Sequence, residues 1–201
     1  MNTPFEFCAL RFLLQWERSE KNLHRKMKET PRIEDIRRSL RYFQVARNFS
    51  GLKDDGRAQM VSQALESIDL KIDLTPEQKV NELAYCFKRD FNQFNLSAAS
   101  KLFWLKHRMP YIIYDSRAVG ALKALGHTFE NRNYAAYCKA WRKQYRLDRG
   151  NIKTAASRLI EIRGFLPAPH VDEEALSKLT RQPWFLERVL DIYLWEAGGE
   201  N

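Results

Sequence analysis

Apolar positions recur along the chain at spacings of three and four residues, the period of one buried helix face. Nowhere does the alternation of a half-buried strand persist long enough to predict one, so the pattern predicts an all-α fold. The first expected helix runs from Phe5 to Arg18, with Phe7, Leu10 and Leu14 as its apolar positions and a basic continuation through Lys28. In "TPRIEDIRRSLRYFQVARNF", Thr30 is the expected N-cap and Pro31 the first helical residue. Ile33, Ile36, Leu40 and Phe43 then form an inner stripe. "KDDGR" reads as a turn opening a helix that contains Met60, Leu65 and Ile68. The strongest start signal comes next. Thr75 caps, Pro76 follows, and Gln78 stands three residues after the cap, as a capping box requires. Val80, Leu83, Ala84 and Phe87 face inward from it.

"SAASKLFWLKHRMPYIIYDSRAVGAL", Ser97 to Leu122, carries the least ordinary pattern. Ser97 is the expected cap of a helix reaching about Arg108. Ala98, Ala99, Leu102, Phe103, Trp104 and Leu105 make that helix apolar almost all round, which predicts burial. Met109 and Pro110 end it, and "YIIY" must be extended chain or buried loop. Asp115 then caps a second helix with the stripe Ala118, Ala121, Leu122 and Leu125, closed by Gly126. Further on, Tyr134, Cys138, Trp141 and Tyr145 form a stripe on a helix whose other face carries Lys139, Arg142, Lys143 and Arg146, with Arg132 just before it. "LPAPH" marks a joint in an acidic tail. The last helix opens at Pro183 and presents Phe185, Leu186, Val189, Leu190, Tyr193 and Leu194.

At 201 residues, 44% of them hydrophobic, the chain can bury a sizeable core as one all-α unit over residues 1–201, with room for two lobes around a cleft. Its net charge of +9 is unevenly placed. Residues 101–163 hold 14 Lys and Arg against 4 Asp and Glu, while the remainder holds 20 against 21. One segment thus carries the whole excess, and concentrated positive charge is what a phosphate backbone rewards through counterion release. A solvated basic face is the plainer alternative.

The chain shows no Walker loop, GxSxG, HExxH or glycine-rich dinucleotide turn. His24, His107, His127 and His170 stand apart from one another. Cys8, Cys86 and Cys138 form no CxxC pair, so no metal, cofactor or disulfide framework is expected. No apolar run approaches a membrane span and no signal-peptide pattern opens the chain, so a soluble cytoplasmic protein is expected.

Lys101 has Ser97 and Ala98 one turn before it, and Trp104 and Leu105 one turn after it. An ammonium among apolar neighbours is disfavoured, so part of the population becomes free amine, a nucleophile. Snorkelling outward to water or to an acid is the competing reading. For Asp115, helix capping alone is a sufficient reason.

A helix bearing a lysine, a short joint, an apolar segment ending in aspartate, and a second helix together resemble the core of the helix-hairpin-helix DNA glycosylases, in particular the branch that removes 8-oxoguanine. "SKLFWL" is similar to that family's lysine segment, and "IIYDSRAVGAL" to its aspartate segment; the likeness spans residues 97–125. "SAAS" stands where the family's hairpin has glycines, and 14 positions separate Lys101 from Asp115, about one helical turn fewer than is usual. The resemblance implies a two-lobed helical fold, duplex DNA with a flipped base as partner, and excision of a modified base, either oxidised guanine or a base of phage DNA. It also implies Lys101 as nucleophile and Asp115 as the carboxylate that favours developing positive charge on the sugar. Expected nucleic-acid contacts are Ser97, Ser100, Lys106, His107, Arg108, Arg117, Lys139, Arg142 and Lys143. Trp104, Tyr111 and Tyr114 are the expected base-pocket residues. A non-catalytic nucleic-acid-binding module of a defence assembly would use the same basic face without needing Lys101 or Asp115. A helical protein whose basic face meets an acidic protein partner is a third reading.

Overall fold

A computed structural model describes residues 3–29, 31–165 and 172–199, and every regular element among them is helical. The chain divides into two compact units. One comprises residues 20–114 and 132–138; the other, residues 1–19, 115–131 and 139–201, is drawn from three stretches of chain.

In the unit of residues 20–114, the helices are α2 (Lys21–Lys28), α3 (Ile33–Tyr42), α4 (Asp55–Asp69), α5 (Pro76–Phe91) and α6 (Leu96–His107). Each follows from its local sequence. Asp54 caps α4 by accepting from the Arg57 amide at 2.7 Å. Thr75 and Gln78 close the expected capping box on α5, with amide-to-side-chain distances of 3.2 and 2.8 Å. α6 is the core element. All its residues from Leu96 to Lys106 except Ser97 are buried, and α2, α3 and α5 pack against it. A helix with almost no polar face has to be enclosed on all sides, and this one is.

Three boundaries differ from expectation. α3 starts at Ile33 with Arg32 as N-cap, and the Asp35 carboxylate accepts from the Arg32 amide at 3.3 Å. Thr30 lies outside the described residues. α6 is capped by Asn95, whose Oδ1 accepts from the Ala98 amide at 2.9 Å, so Ser97 sits inside the first turn instead of before it. The expected first helix is broken. α1 (Phe5–Gln15) passes through a π-helical turn at Trp16–Glu20 before α2, and each extra residue in such a turn rotates the following face.

The other unit contains α1, α7 (Ser116–Ala124), the greater part of α8 (Tyr134–Ser157), α9 (Glu173–Thr180) and α10 (Pro183–Ala197). α1 and α7 both pack on α10. The inward face of α1 is Cys8, Ala9, Phe12 and Leu13; Phe7 and Leu14 are exposed, one helical step away from the expected phase. Phe12 meets Phe185 at 4.8 Å between ring centroids, and Trp16 meets Trp184 at 4.5 Å. Buried Asp191 accepts from the Trp141 indole at 2.8 Å and lies 3.8 Å from buried Arg188. Gly126, at φ +87°, ends α7 in a conformation that glycine adopts without steric cost. Leu125, expected on the inner stripe of α7, is exposed. The "LPAPH" joint lies outside the described residues.

Candidate active site

Lys101 is 4% exposed. Its Nζ donates to Ser97 Oγ at 2.8 Å, one turn back along α6, and stands 5.6 Å from the centroid of the Phe43 ring. Trp104 packs edge-on against the same ring at 6.4 Å. The lysine therefore does not snorkel clear of the fold. Its amine contacts a hydroxyl and an aromatic face inside the fold.

After α6 the backbone turns at Arg108, at φ +63° and half-buried, and burial holds the Arg108 guanidinium below its usual value. Residues 111–114 then form a segment without regular secondary structure, with Tyr111, Ile112 and Ile113 buried. A buried segment outside any helix must find side-chain partners for its amides and carbonyls. Tyr134 supplies two such bonds, its hydroxyl donating to the Ile112 carbonyl at 2.6 Å and accepting from the Ile112 amide at 3.3 Å. The Tyr137 hydroxyl donates to the Ile113 carbonyl at 2.8 Å, and Ser100 Oγ accepts from the Tyr114 amide at 2.9 Å. Burial of Tyr134 drives its phenol well above the ordinary range, so it remains a donor at any working pH. Three side chains from two helices thus fix the segment that delivers Asp115.

Asp115 is the N-cap of α7. Its backbone is extended, at φ −141° and ψ 142°, and its Oδ1 accepts from the Arg117 amide at 3.1 Å. Lys101 belongs to one unit and Asp115 to the other. The first turn of α7 is fixed by α10. The Arg117 guanidinium lies 4.2 Å from the centroid of the Trp195 ring, and a Cβ on Gly198 would collide with the Arg117 carbonyl.

The expected nucleic-acid contacts separate into two kinds. Lys139, Arg142, Lys143 and Arg117 are exposed. The others are engaged within the protein. Lys106 is 6% exposed, with Nζ 2.7 Å from a Glu66 oxygen and 3.8 Å from an Asp69 oxygen. His107 Nε2 lies 2.6 Å from Asp69 Oδ1. Lys106 has its charge answered by acids of α4, because α6 is enclosed there and a cation on it requires an internal partner, whereas His107 is exposed at the end of the helix. Ser100 is fully buried and Ser97 receives the Lys101 ammonium, so these hydroxyls position the protein's own groups.

The expected base-pocket residues also make contacts within the protein. Trp104 and Tyr111 are core rings, at 3% and 6% exposure, and Tyr111 stacks on Phe103 at 4.8 Å. Half-buried Tyr114 packs on Tyr137 at 5.0 Å, and its hydroxyl accepts from the Arg132 amide at 3.2 Å. Sequence reasoning missed the roles of Tyr134, Tyr137 and Ser100 as clamps. The hydroxyls were visible, but their partners are backbone atoms that carry no sequence signal. Cys8 and Cys138 are buried and Cys86 is half-buried, and none of the three is in a disulfide among the described residues. Among the described residues no group of three or more His, Cys, Asp or Glu is placed to hold a metal ion, and no described helix is long and apolar enough to cross a membrane.

No protein-family model matches the chain, and comparison with curated proteins and with solved structures found no significant match.

Proposed function

We propose that the protein is a DNA glycosylase that excises a modified base, with Lys101 as nucleophile and Asp115 as the carboxylate that favours the sugar cation. The observation that carries this reading is the burial of the Lys101 amine, which donates to Ser97 Oγ and faces the Phe43 ring on an enclosed helix. The unprotonated amine of a lysine is the nucleophile that this chemistry uses.

Deprotonated Nζ forms a bond to C1′ of a flipped nucleotide as the C1′–N glycosidic bond breaks. The electron pair leaves with the base, which takes up a proton. Opening of the sugar at its ring oxygen gives an iminium on Lys101, which water hydrolyses or β-elimination converts into a strand break. The expelled base leaves oxocarbenium-like charge on the sugar, and a nearby carboxylate lowers that barrier. The nucleotide has to leave the stack because its glycosidic bond is inaccessible within a duplex. The substrate class is duplex DNA carrying oxidised guanine or a modified base of phage DNA.

Borohydride reduces such an iminium to a permanent amine and so tests the step directly. Wild-type protein on duplexes carrying oxidised, alkylated or phage-modified bases is expected to give a trapped adduct with at least one of them. Lys101→Met, which keeps the apolar volume, is expected to give none while melting normally. Wild-type protein that binds duplex DNA yet neither traps nor releases any base would overturn the reading in favour of a non-catalytic binding module.

A further inference from the structure

Six cations lie on the outer side of α8. Lys139, Arg142, Arg146, Arg149 and Lys153 follow one another at alternating steps of three and four residues, with Lys143 beside them, and all six are exposed. That spacing keeps them on one face of the helix. The buried residues Trp141, Gln144, Ile152, Ala155 and Ala156 lie on the opposite face. From Lys139 to Lys153 the row spans about 21 Å at 1.5 Å per residue.

Several cations elsewhere are matched with acids, as in half-buried Arg37 with Asp55, half-buried Lys71 with Glu82, and exposed Arg89 with Asp90 and Arg158 with Glu6. Along α8, no ion pair joins Lys139, Lys143, Arg146 or Lys153 to an acid among the described residues. Asp148, the helix's only acid, is half-buried and accepts from Gln144 Nε2 at 2.6 Å. Adjacent like charges on a helix repel, so a row of this kind is unfavourable in isolation. Its cost is removed by a polyanion with charges in register.

We infer that the exposed face of α8 is a docking surface for the phosphate backbone of duplex nucleic acid, extending over about six base pairs at 3.4 Å per step. The inference rests on the DNA reading above but uses neither Lys101 nor Asp115. Single-strand binders add aromatic platforms for stacking bases to their basic groove. The rings of α8 are turned the other way, with Tyr134, Tyr137 and Trp141 buried and Tyr145 stacked on Trp141 at 5.4 Å. The face therefore offers charge without stacking, which fits a sequence-independent grip on a duplex.

The test is the salt dependence of binding to an unmodified 20-base-pair duplex, read by fluorescence anisotropy. The triple variant Lys143→Ala, Arg146→Ala, Lys153→Ala removes three exposed contacts without opening the core. It is expected to flatten the slope of log K against log salt by about 2.7, at 0.9 per contact, and to weaken binding on the order of a hundredfold at 0.1 M salt. An unchanged slope in a variant with native circular dichroism would overturn the inference. So would equal or tighter binding to poly(dT), or binding to polyglutamate without binding to the duplex, the last marking an acidic-protein surface. Lys101→Met separates the two proposals. It is expected to leave the slope intact while abolishing trapping. Trapping without an effect of the triple variant removes only the α8 surface, and a slope effect without trapping removes only the glycosylase chemistry.

Discussion

Glu187, on α10, shows what partial burial does to a single carboxyl. Desolvation pushes its pKa from the ordinary 4.5 to about 7, against a smaller opposing pull from the Arg142 guanidinium. Between those two values the folded chain holds the proton more tightly than the unfolded chain does. This contribution to stability is complete below pH 4.5 and is lost as pH rises through 7. Glu187→Gln removes the charged form, and it is expected to stabilise the protein at pH 8 by up to about 3 kcal/mol while changing little at pH 4.5. Thermal melts of both proteins at the two pH values check this; a variant that melts below wild type at pH 8 would show that ionised Glu187 is stabilised by Arg142. Lys106 shows the reverse treatment of a charge. It is a lysine like Lys139, Lys143 and Lys153 of α8, yet its Nζ is enclosed with Glu66 and Asp69. Residue type alone does not separate a cation that meets solvent from one that meets an acid inside the fold.

Helix packing explains which parts of the chain could be read in advance. The α5 start, the all-round burial of α6, the buried "YIIY" segment, the Asp115 cap and the apolar face of α10 all follow from signals within one or two turns of sequence. The phase of α1 did not, because apolar residues lie on nearly every side of residues 5–14 and packing on α10 selects Cys8, Ala9, Phe12 and Leu13 as the inner face. The Ser97 cap was misplaced for a related reason, since Asn95 and Ser97 are both good caps and only the packing of Leu96 decides between them. Of the candidate site, the buried lysine and the capping aspartate were legible, whereas the clamps that fix residues 111–114 were not. Those clamps are testable as a set. Tyr134→Phe leaves both the Ile112 amide and its carbonyl without their hydroxyl partner in a buried segment, and is expected to cost about 2–3 kcal/mol. Tyr137→Phe removes one bond, to the Ile113 carbonyl, and is expected to cost about 1 kcal/mol. Urea denaturation gives both values, and equal losses would mean that the double role of Tyr134 is not realised.

At the scale of the whole chain, what matters is that one unit is assembled from three separated stretches, residues 1–19, 115–131 and 139–201. Its core depends on the N-terminal stretch. Cys8, Ala9, Phe12 and Leu13 are buried where α1 packs on α10, Phe12 lies against Phe185, and Arg11 pairs with Glu196. In the unit of residues 20–114 and 132–138, α6 is enclosed by α2, α3 and α5. Deleting residues 1–15 removes four core side chains from the unit that contains α1, of which Phe12 and Leu13 are each worth roughly 1.5–3 kcal/mol of burial. Hydrogen exchange is expected to show amides of α7 and α10 losing protection while those of α5 and α6 keep theirs, because opening follows local core density. Under the glycosylase reading, the truncated protein also separates the two chemical groups: Lys101 stays on an intact helix while Asp115 caps a helix that has lost its support. Trapping should then fail in a protein whose α6 remains protected. Uniform loss of protection across both units would instead mean that they fold as a single cooperative block.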